Sequence, residues 1–119
     1  MLKFLKAFSF AGQGLLAALR SESNMRFHLF AAIVVIVAST YFQISRVEWM
    51  FIILCIASVV SVELLNTAIE KLSDKISTEF HPVIKTVKDV SAGAVLISAL
   101  MATIIGLLIF IPHLLSMVK

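Results

Sequence analysis

Cysteine, glycine and charged residues are scarce in this chain of 119 residues. The single cysteine, Cys55, has no partner for an intrachain disulfide, and no His or Cys spacing typical of a zinc site is present. The four glycines form no GxxxxGKS or GxxxxGKT sequence, so any nucleotide site is not a P-loop. No nucleophile elbow is present, which disfavours a serine hydrolase. No basic cluster is interleaved with aromatic residues, so nucleic acid is not an expected partner.

Apolar residues dominate what remains. They make up 61% of the chain against 14% charged residues, and the mean hydropathy is +1.06. A surface of this kind belongs in a bilayer, so the composition predicts an all-α polytopic membrane protein with a single domain over residues 1–119. Three stretches approach the ~20 residues that a transmembrane helix needs. These predicted spans are residues 27–44, 49–68 and 90–111.

The segment 1–21 is predicted to be an amphipathic helix in the membrane interface. Lys6, Ser9, Gln13 and Arg20 fall within a narrow arc of the helix, with large apolar residues on the opposite side. A further transmembrane span is the alternative for this segment. We favour the surface helix because Lys3, Lys6 and Gln13 interrupt the apolar run.

The basic residues predict the orientation in the cell membrane. Four of the ten Lys and Arg residues precede the first predicted span and four lie between the second and third, leaving only Arg46 and Lys119. The positive-inside rule therefore places the N-terminus in the cytoplasm and the C-terminus outside.

Four polar residues lie within or just after the second apolar stretch at helical spacing. Glu63, Asn66, Glu70 and Asp74 are separated by three or four residues, which places them on one helical face. Glu63 lies fourteen residues from Trp49, about 21 Å along the axis and still within the hydrocarbon, whereas Glu70 lies about 10 Å further, near the headgroups. Ionisable groups at membrane depth usually mark a pathway or a reaction site.

This pattern favours different chemistry at each position. Desolvation disfavours the charged form of Glu63, which suits a general base that accepts a proton from a lipid hydroxyl. Glu70, near Glu22, suits a magnesium ion bound with phosphate oxygens, and Lys88 can neutralise phosphate charge while Asp89 orients it or contacts a nucleotide. From spacing alone, phosphoryl transfer, a proton or ion path and a structural polar seam remain open.

The order of these residues resembles the signature of the prokaryotic diacylglycerol kinase family. The resemblance rests on the motif from Glu63 through Asn66 and Glu70 to Asp74, on His81-Pro82, and on the segment from Lys88-Asp89 to Leu96. It extends to Glu22 and the following Asn24-Met25-Arg26-x-His28, and so covers nearly the whole chain. It implies a homotrimer of three-span protomers that transfers the γ-phosphate of ATP to a lipid hydroxyl at the cytoplasmic interface.

The resemblance also implies residue roles. Glu63 would be the catalytic base with Asn66 close by, and Glu22 and Glu70 would hold the Mg²⁺ that accompanies ATP. Nucleotide contacts would come from Lys3, Phe10, Glu22, Glu70, Glu79, Phe80, His81, Lys88 and Asp89. Lys3 and Phe10 stand where the family often carries other basic and aromatic residues. Contacts with the lipid substrate would come from Glu63, Asn24 and Ala92, and sites shared between protomers would be expected.

Details of the chain resemble the Gram-positive-type branch, whose acceptor is typically undecaprenol. These details are the segment Asn24 to His28, Val47-Glu48-Trp49 and His81-Pro82. We therefore expect undecaprenol as the acceptor, with diacylglycerol as the alternative. A small proton-coupled transporter and a non-catalytic assembly partner are the rivals from other classes.

Two polar residues keep two interpretations at this point, and a third has one. Asp74 either takes part in the site or only pairs with Lys71 or Lys75. His81 either contacts the nucleotide or packs in its loop. His28 is expected to lie at a helix interface rather than to bind a metal.

Overall fold

The chain folds into four α-helices and no strands in a computed structural model that describes all residues, 1–119. Helix α1 spans Leu2–Ser21, α2 spans Ser23–Tyr41, α3 spans Arg46–Ile76 and α4 spans Pro82–Val118. Helix α3 packs along α4 and, less extensively, along α2, whereas α2 and α4 do not approach each other closely. The predicted all-α class is therefore confirmed, with α3 as the central helix.

The surface of the chain is that of a membrane protein. Only 15 of the 119 residues are buried, and most of the large apolar side chains are exposed. All four helices are long and apolar enough to cross a membrane. An apolar exterior of this extent is stable in lipid or against other apolar chains rather than in water.

The helices differ in extent from the predicted spans. Helix α2 ends at Tyr41 rather than at residue 44, because Gln43 takes a left-handed conformation with φ of 51° and turns the chain. Helix α3 extends beyond the predicted span that ends at residue 68, and α4 begins before the one that starts at residue 90. The polar end of each helix therefore adjoins the loop at residues 77–81. We call this side the loop end and the side of residues 42–45 the turn end.

A capping box fixes the turn end. The Ser45 hydroxyl accepts a hydrogen bond from the Glu48 backbone N–H at 3.1 Å, and the Glu48 carboxylate accepts one from the Ser45 N–H at 2.9 Å. Both carboxylate oxygens of Glu48 also lie 3.3 Å from Nε2 of His113 on α4. The last turns of α4 are thereby joined to the start of α3.

The junction between α1 and α2 is held by an arginine. Arg26 donates from Nη1 to the backbone oxygens of Leu19 at 2.8 Å and Arg20 at 3.1 Å, which satisfies carbonyls that the end of α1 leaves free. Glu22 separates the two helices, and its side chain makes no capping hydrogen bond with either helix. Its carboxylate is therefore available for other contacts.

Candidate functional site

The buried residues of α3 form one stripe that changes character along its length. The stripe is apolar at Ile52, Cys55 and Val59 and becomes polar at Glu63 and Asn66. Seven of the 15 buried residues of the whole chain are polar or charged, which is unusual for the interior of an apolar chain. The polar part of the stripe is therefore the first place to seek a site.

Glu63 is the most deeply buried ionisable group in the chain. Its side chain is 1% exposed, and its Oε2 atom has no hydrogen-bond partner. The nearest basic group is Nε2 of His28 on α2, at 3.7 Å from Oε2, which is too long for a direct hydrogen bond. Buried carboxylate oxygens are rarely left without a partner, so this atom is placed to receive a group that the chain itself does not supply.

An apolar cleft lies between α2, α3 and α4 and includes His28. Its volume is about 440 Å³, and 13 of its 16 lining residues are hydrophobic. The other three are His28, Thr103 and Gly106. The Thr103 hydroxyl already donates to the backbone oxygen of Ala99 at 2.8 Å. The cleft is therefore suited to a hydrocarbon chain, with polar contacts concentrated where His28 approaches Glu63.

Asn66 is oriented by a residue of α4. The Ser91 hydroxyl donates to Oδ1 of Asn66 at 2.7 Å, and both residues are buried. Because Oδ1 accepts this bond, the amide nitrogen of Asn66 presents its two N–H donors away from Ser91. Asn66 can therefore donate to an oxygen atom beside Glu63, which lies one helical turn away on the same face.

Two ion pairs border the site at the loop end. Lys88 contacts Asp74 at 2.7 Å, and Lys85 contacts Asp89 at 2.6 Å. Of the two interpretations of Asp74, a pairing with Lys71 or Lys75 is not what the structure has, and Asp74 rather than Asp89 orients Lys88. The hydrogen bond that Lys88 donates to Asp74 raises the pKa of Lys88, which precedes the apolar segment of α4, and the charge of Glu70 acts in the same direction.

Glu22 and Glu70 lie toward the loop end and are both half-buried. Each is close enough for its charge to act on Glu63. No three His, Cys, Asp or Glu side chains of the single chain converge as a metal cluster. Mg²⁺ at a nucleotide needs only one or two carboxylates, because phosphate oxygens and water complete its shell. The donor types of Glu22 and Glu70 therefore fit a nucleotide-bound magnesium ion.

The loop at residues 77–81 exposes the other predicted nucleotide contacts. Glu79, Phe80 and His81 are all exposed. Nδ1 of His81 accepts a hydrogen bond from the Val83 N–H at 3.2 Å and so caps α4. His81 therefore has a structural contact through one ring nitrogen, while its Nε2 atom makes no hydrogen bond within the chain.

Four predicted site residues are exposed in the single chain and make no hydrogen bond or ion pair with Glu63. Lys3 and Phe10 lie in the first part of α1, where residues 1–17 are all exposed. Asn24 in the first turn of α2 and Ala92 on α4 are also exposed. Their assignment to nucleotide and lipid stays a prediction.

A comparison with protein families accounts for this arrangement. Residues 9–110 match the model of the prokaryotic diacylglycerol kinase family. The chain belongs to the prokaryotic diacylglycerol kinase family. It is therefore a membrane lipid kinase, and the family resemblance predicted from the sequence is confirmed. Family membership argues against the transporter and the non-catalytic partner that the sequence left as rivals.

Individual members of the prokaryotic diacylglycerol kinase family resemble the chain over most of its length. It is 46% identical to the undecaprenol kinase of Bacillus subtilis strain 168 over 112 residues, which cover 94% of this chain and 91% of that protein. It is 34% identical to the diacylglycerol kinase of Synechocystis sp. over 95% of this chain and 65% of that protein. The diacylglycerol kinase of Helicobacter pylori strain 26695 is 39% identical over 87% of this chain and 80% of that protein.

Two residues of the site in this lipid kinase were not predicted from the sequence. Ser91 was not identified, and His28 was expected only to lie at a helix interface. Ser91 lies three residues after Lys88 and therefore on the same face of α4, a spacing that could have placed it near the polar stripe. His28 carried no such signal, because its distance to Glu63 depends on how α2 packs against α3. Both residues contact the two side chains that the sequence had placed at the centre of the site.

Proposed function

We propose that this kinase transfers the γ-phosphate of ATP to the hydroxyl of undecaprenol, with Glu63 as the general base. The observation that carries the proposal is the buried Oε2 atom of Glu63, which has no hydrogen-bond partner and lies 3.7 Å from His28, a residue that lines the apolar cleft. A lipid chain in the cleft would bring its terminal hydroxyl to this atom. A positioned base of this kind contributes about 10²- to 10⁴-fold to rate.

The chemistry of the cleft favours undecaprenol over diacylglycerol. Diacylglycerol carries ester carbonyls, which are bound best by hydrogen-bond donors, whereas a polyprenol is hydrocarbon up to its single hydroxyl. Of the residues that line the cleft, Thr103 uses its hydroxyl within α4, and His28 lies at Glu63. The 46% identity to an undecaprenol kinase supports the same acceptor. Diacylglycerol is the second candidate, because it is the acceptor named for the Synechocystis and Helicobacter relatives.

The transfer requires one bond to form and one to break. The acceptor oxygen attacks the γ-phosphorus of ATP, and its proton passes to Glu63. The bond between the γ-phosphorus and the oxygen that bridges it to the β-phosphorus breaks, and ADP leaves. Asn66, held by Ser91, donates to an oxygen of the transferred group, and Lys88 neutralises phosphate charge. Glu79, Phe80, His81 and Asp89 would hold the remainder of the nucleotide.

Magnesium enters this proposal through Glu22 and Glu70. Bound with the nucleotide, the ion would neutralise charge on the phosphate oxygens. The support is the pair of half-buried carboxylates near Glu63, which are hard oxygen donors of the type that magnesium takes. Glu63 itself remains free to accept the proton.

The proposed topology has three spans and one surface helix. Helices α2, α3 and α4 would cross the membrane, and α1 would lie in the interface, because its residues up to 17 are exposed and several are polar. Eight of the ten Lys and Arg residues fall in α1, at the start of α2 or near the loop end. This distribution supports a cytoplasmic N-terminus and loop end and an external C-terminus.

A homotrimer would complete the site. Lys3 and Phe10 are exposed on α1, and nothing in their own chain brings them to Glu63. Much of the apolar surface of the single chain is also free to pack against other copies. In a trimer, α1 of one protomer can reach the loop end of a neighbour and supply these nucleotide contacts.

An acceptor competition tests the proposed function. Purified protein in mixed micelles with labelled ATP and magnesium is offered undecaprenol and diacylglycerol together. We expect labelled undecaprenyl phosphate as the main product, and its formation should require magnesium. Predominant phosphatidic acid would replace the proposed acceptor with the second candidate, while the absence of any lipid product would reject both.

A further inference from the structure

The gap between His28 and Glu63 is one that a single hydroxyl group would bridge. Nε2 of His28 and Oε2 of Glu63 are 3.7 Å apart, too far for a direct hydrogen bond. An oxygen atom about 2.8 Å from both atoms would hydrogen-bond with each, and a small movement of the side chains is needed to admit it, because Oε2 is closed to solvent in the unliganded chain. Because Oε2 is buried and has no partner, a group that bridges the two atoms would satisfy it.

His28 is the residue that connects this gap with the apolar cleft. Its side chain is 15% exposed and lines the cleft, and its ring packs edge-on against Phe27 with centroids 5.8 Å apart. Apart from the weakly polar thiol of Cys55, no other lining side chain offers a free donor, since the Thr103 hydroxyl is bonded within α4. His28 is therefore the one strong hydrogen-bond donor available to a ligand in the cleft, and it lies beside Glu63.

We propose that His28 binds the acceptor hydroxyl. The His28 Nε2–H donates to the acceptor oxygen, and the acceptor O–H donates to Oε2 of Glu63. An alcohol oxygen has two lone pairs, so one accepts from His28 and the other stays free to attack phosphorus. This assignment rests on the proposed function, because it requires Glu63 to receive the hydroxyl proton of a lipid alcohol. It needs a proton on Nε2 of His28.

The arrangement gives His28 a role distinct from that of the nucleotide residues. It holds the acceptor at one atom, the hydroxyl oxygen, and makes no contact that ATP would share. Its loss should therefore weaken acceptor binding and leave nucleotide binding unchanged.

The test compares three variants in the full chain. His28→Leu removes the donor, and His28→Gln retains an N–H at similar reach. Thr40→Val changes a residue of the same helix that lies outside the cleft and whose hydroxyl is used within that helix. We expect His28→Leu to raise the KM for the lipid alcohol about tenfold, the effect of one lost hydrogen bond, with the KM for ATP unchanged. His28→Gln should recover most of the loss, and Thr40→Val should behave like the wild type.

A binding measurement isolates the hydroxyl. A short polyprenol and the hydrocarbon of the same length without the hydroxyl are compared as competitors of the natural acceptor. The wild type should bind the alcohol more tightly, and His28→Leu, or His28→Met if the leucine variant does not fold, should reduce that preference. The role of His28 would be overturned if the wild type and the variant preferred the alcohol over the hydrocarbon to the same extent. It would also be overturned if the variant raised the KM for ATP as much as the KM for the lipid alcohol.

The test of His28 and the test of the proposed acceptor can fail independently of each other. If the wild type phosphorylates diacylglycerol instead of undecaprenol, the proposed acceptor is wrong and the same variants are measured with diacylglycerol. A selective rise in the acceptor KM then still supports His28 as the hydroxyl-binding residue. An acceptor KM that His28→Leu leaves unchanged rejects this role whichever lipid is used.

Discussion

The ammonium group of Lys88 on α4 lies 2.7 Å from the carboxylate of Asp74 on α3. The contact joins the two long helices at the loop end, where Lys88 is 37% exposed and Asp74 is 69% exposed. A pair this exposed contributes little to stability, in the range of about 0–1 kcal/mol. Its consequence is positional, because it directs the charge of Lys88 toward the end of α3 that carries Glu70.

Replacing Asp74 should therefore affect nucleotide binding more than folding. Asp74→Asn removes the charge that orients Lys88, and we expect the KM for ATP to rise several-fold with the acceptor KM unchanged. Lys75→Gln is the control, since Lys75 makes no ion pair in the structure. An unchanged KM for ATP in Asp74→Asn would show that Lys88 needs no partner.

The pH dependence of that pair has a defined sign. The pKa of Lys88 is raised by Asp74, so the contribution of the pair is present below the ordinary pKa of lysine and is lost only as the pH rises through the raised value. The ratio of wild-type to Asp74→Asn KM values for ATP should thus be constant between about pH 6 and pH 8. Steady-state kinetics at several pH values check this expectation.

Glu63→Gln should separate catalysis from folding. Glutamine keeps the shape of the side chain and cannot accept the hydroxyl proton, so turnover should fall by at least about 10²-fold. Thermal unfolding in detergent should show a variant at least as stable as the wild type, because a neutral amide is less costly to bury than a carboxylate. Turnover near the wild-type value would remove Glu63 from the role of base.

Ser91→Ala should reduce turnover through Asn66. The variant loses the hydrogen bond to Oδ1 of Asn66, at a cost of about 1 kcal/mol in stability, and leaves the Asn66 amide free to rotate. Ser98→Ala is the matched control, because the Ser98 hydroxyl is also buried on α4 but donates only to the Val95 backbone oxygen of the same helix. We expect kcat to fall in Ser91→Ala alone; an equal effect of both variants would indicate packing rather than orientation.

Glu70→Gln should change the dependence on magnesium. Amide oxygen is a weaker ligand for a hard cation than carboxylate, so half-maximal activity should require a higher magnesium concentration. Titrating magnesium at saturating ATP and acceptor measures the shift. Glu48→Gln, at the other end of α3, is the control and should show the magnesium dependence of the wild type. A magnesium titration curve for Glu70→Gln that coincides with the wild-type curve would exclude Glu70 as a ligand.

Ser45→Ala should lower stability without a matching loss of turnover. The change removes the capping box at the turn end, which is worth about 1 kcal/mol. The site lies toward the other end of α3, so kcat for the folded fraction should remain at the wild-type value. Thermal unfolding and activity of the same preparation check both parts.

The sequence alone determined the class of the protein and the centre of its site. Composition required a membrane environment, because no fold can hide so many apolar side chains within 119 residues. Helical spacing placed Glu63, Asn66 and Glu70 on one face, because contacts within a helix follow from position in the chain. The motif that these residues begin was sufficient to indicate the kinase family.

Only the tertiary structure decided which residues serve that face from other helices. His28 approaches Glu63, Ser91 bonds Asn66 and Lys88 pairs with Asp74. Each of these contacts joins residues far apart in the chain, and its existence depends on how two helices are rotated and offset when they pack. Periodicity within one helix carries no information about that rotation. The sequence therefore left the partner of Asp74 open, gave His28 only a place at a helix interface and gave Ser91 no role.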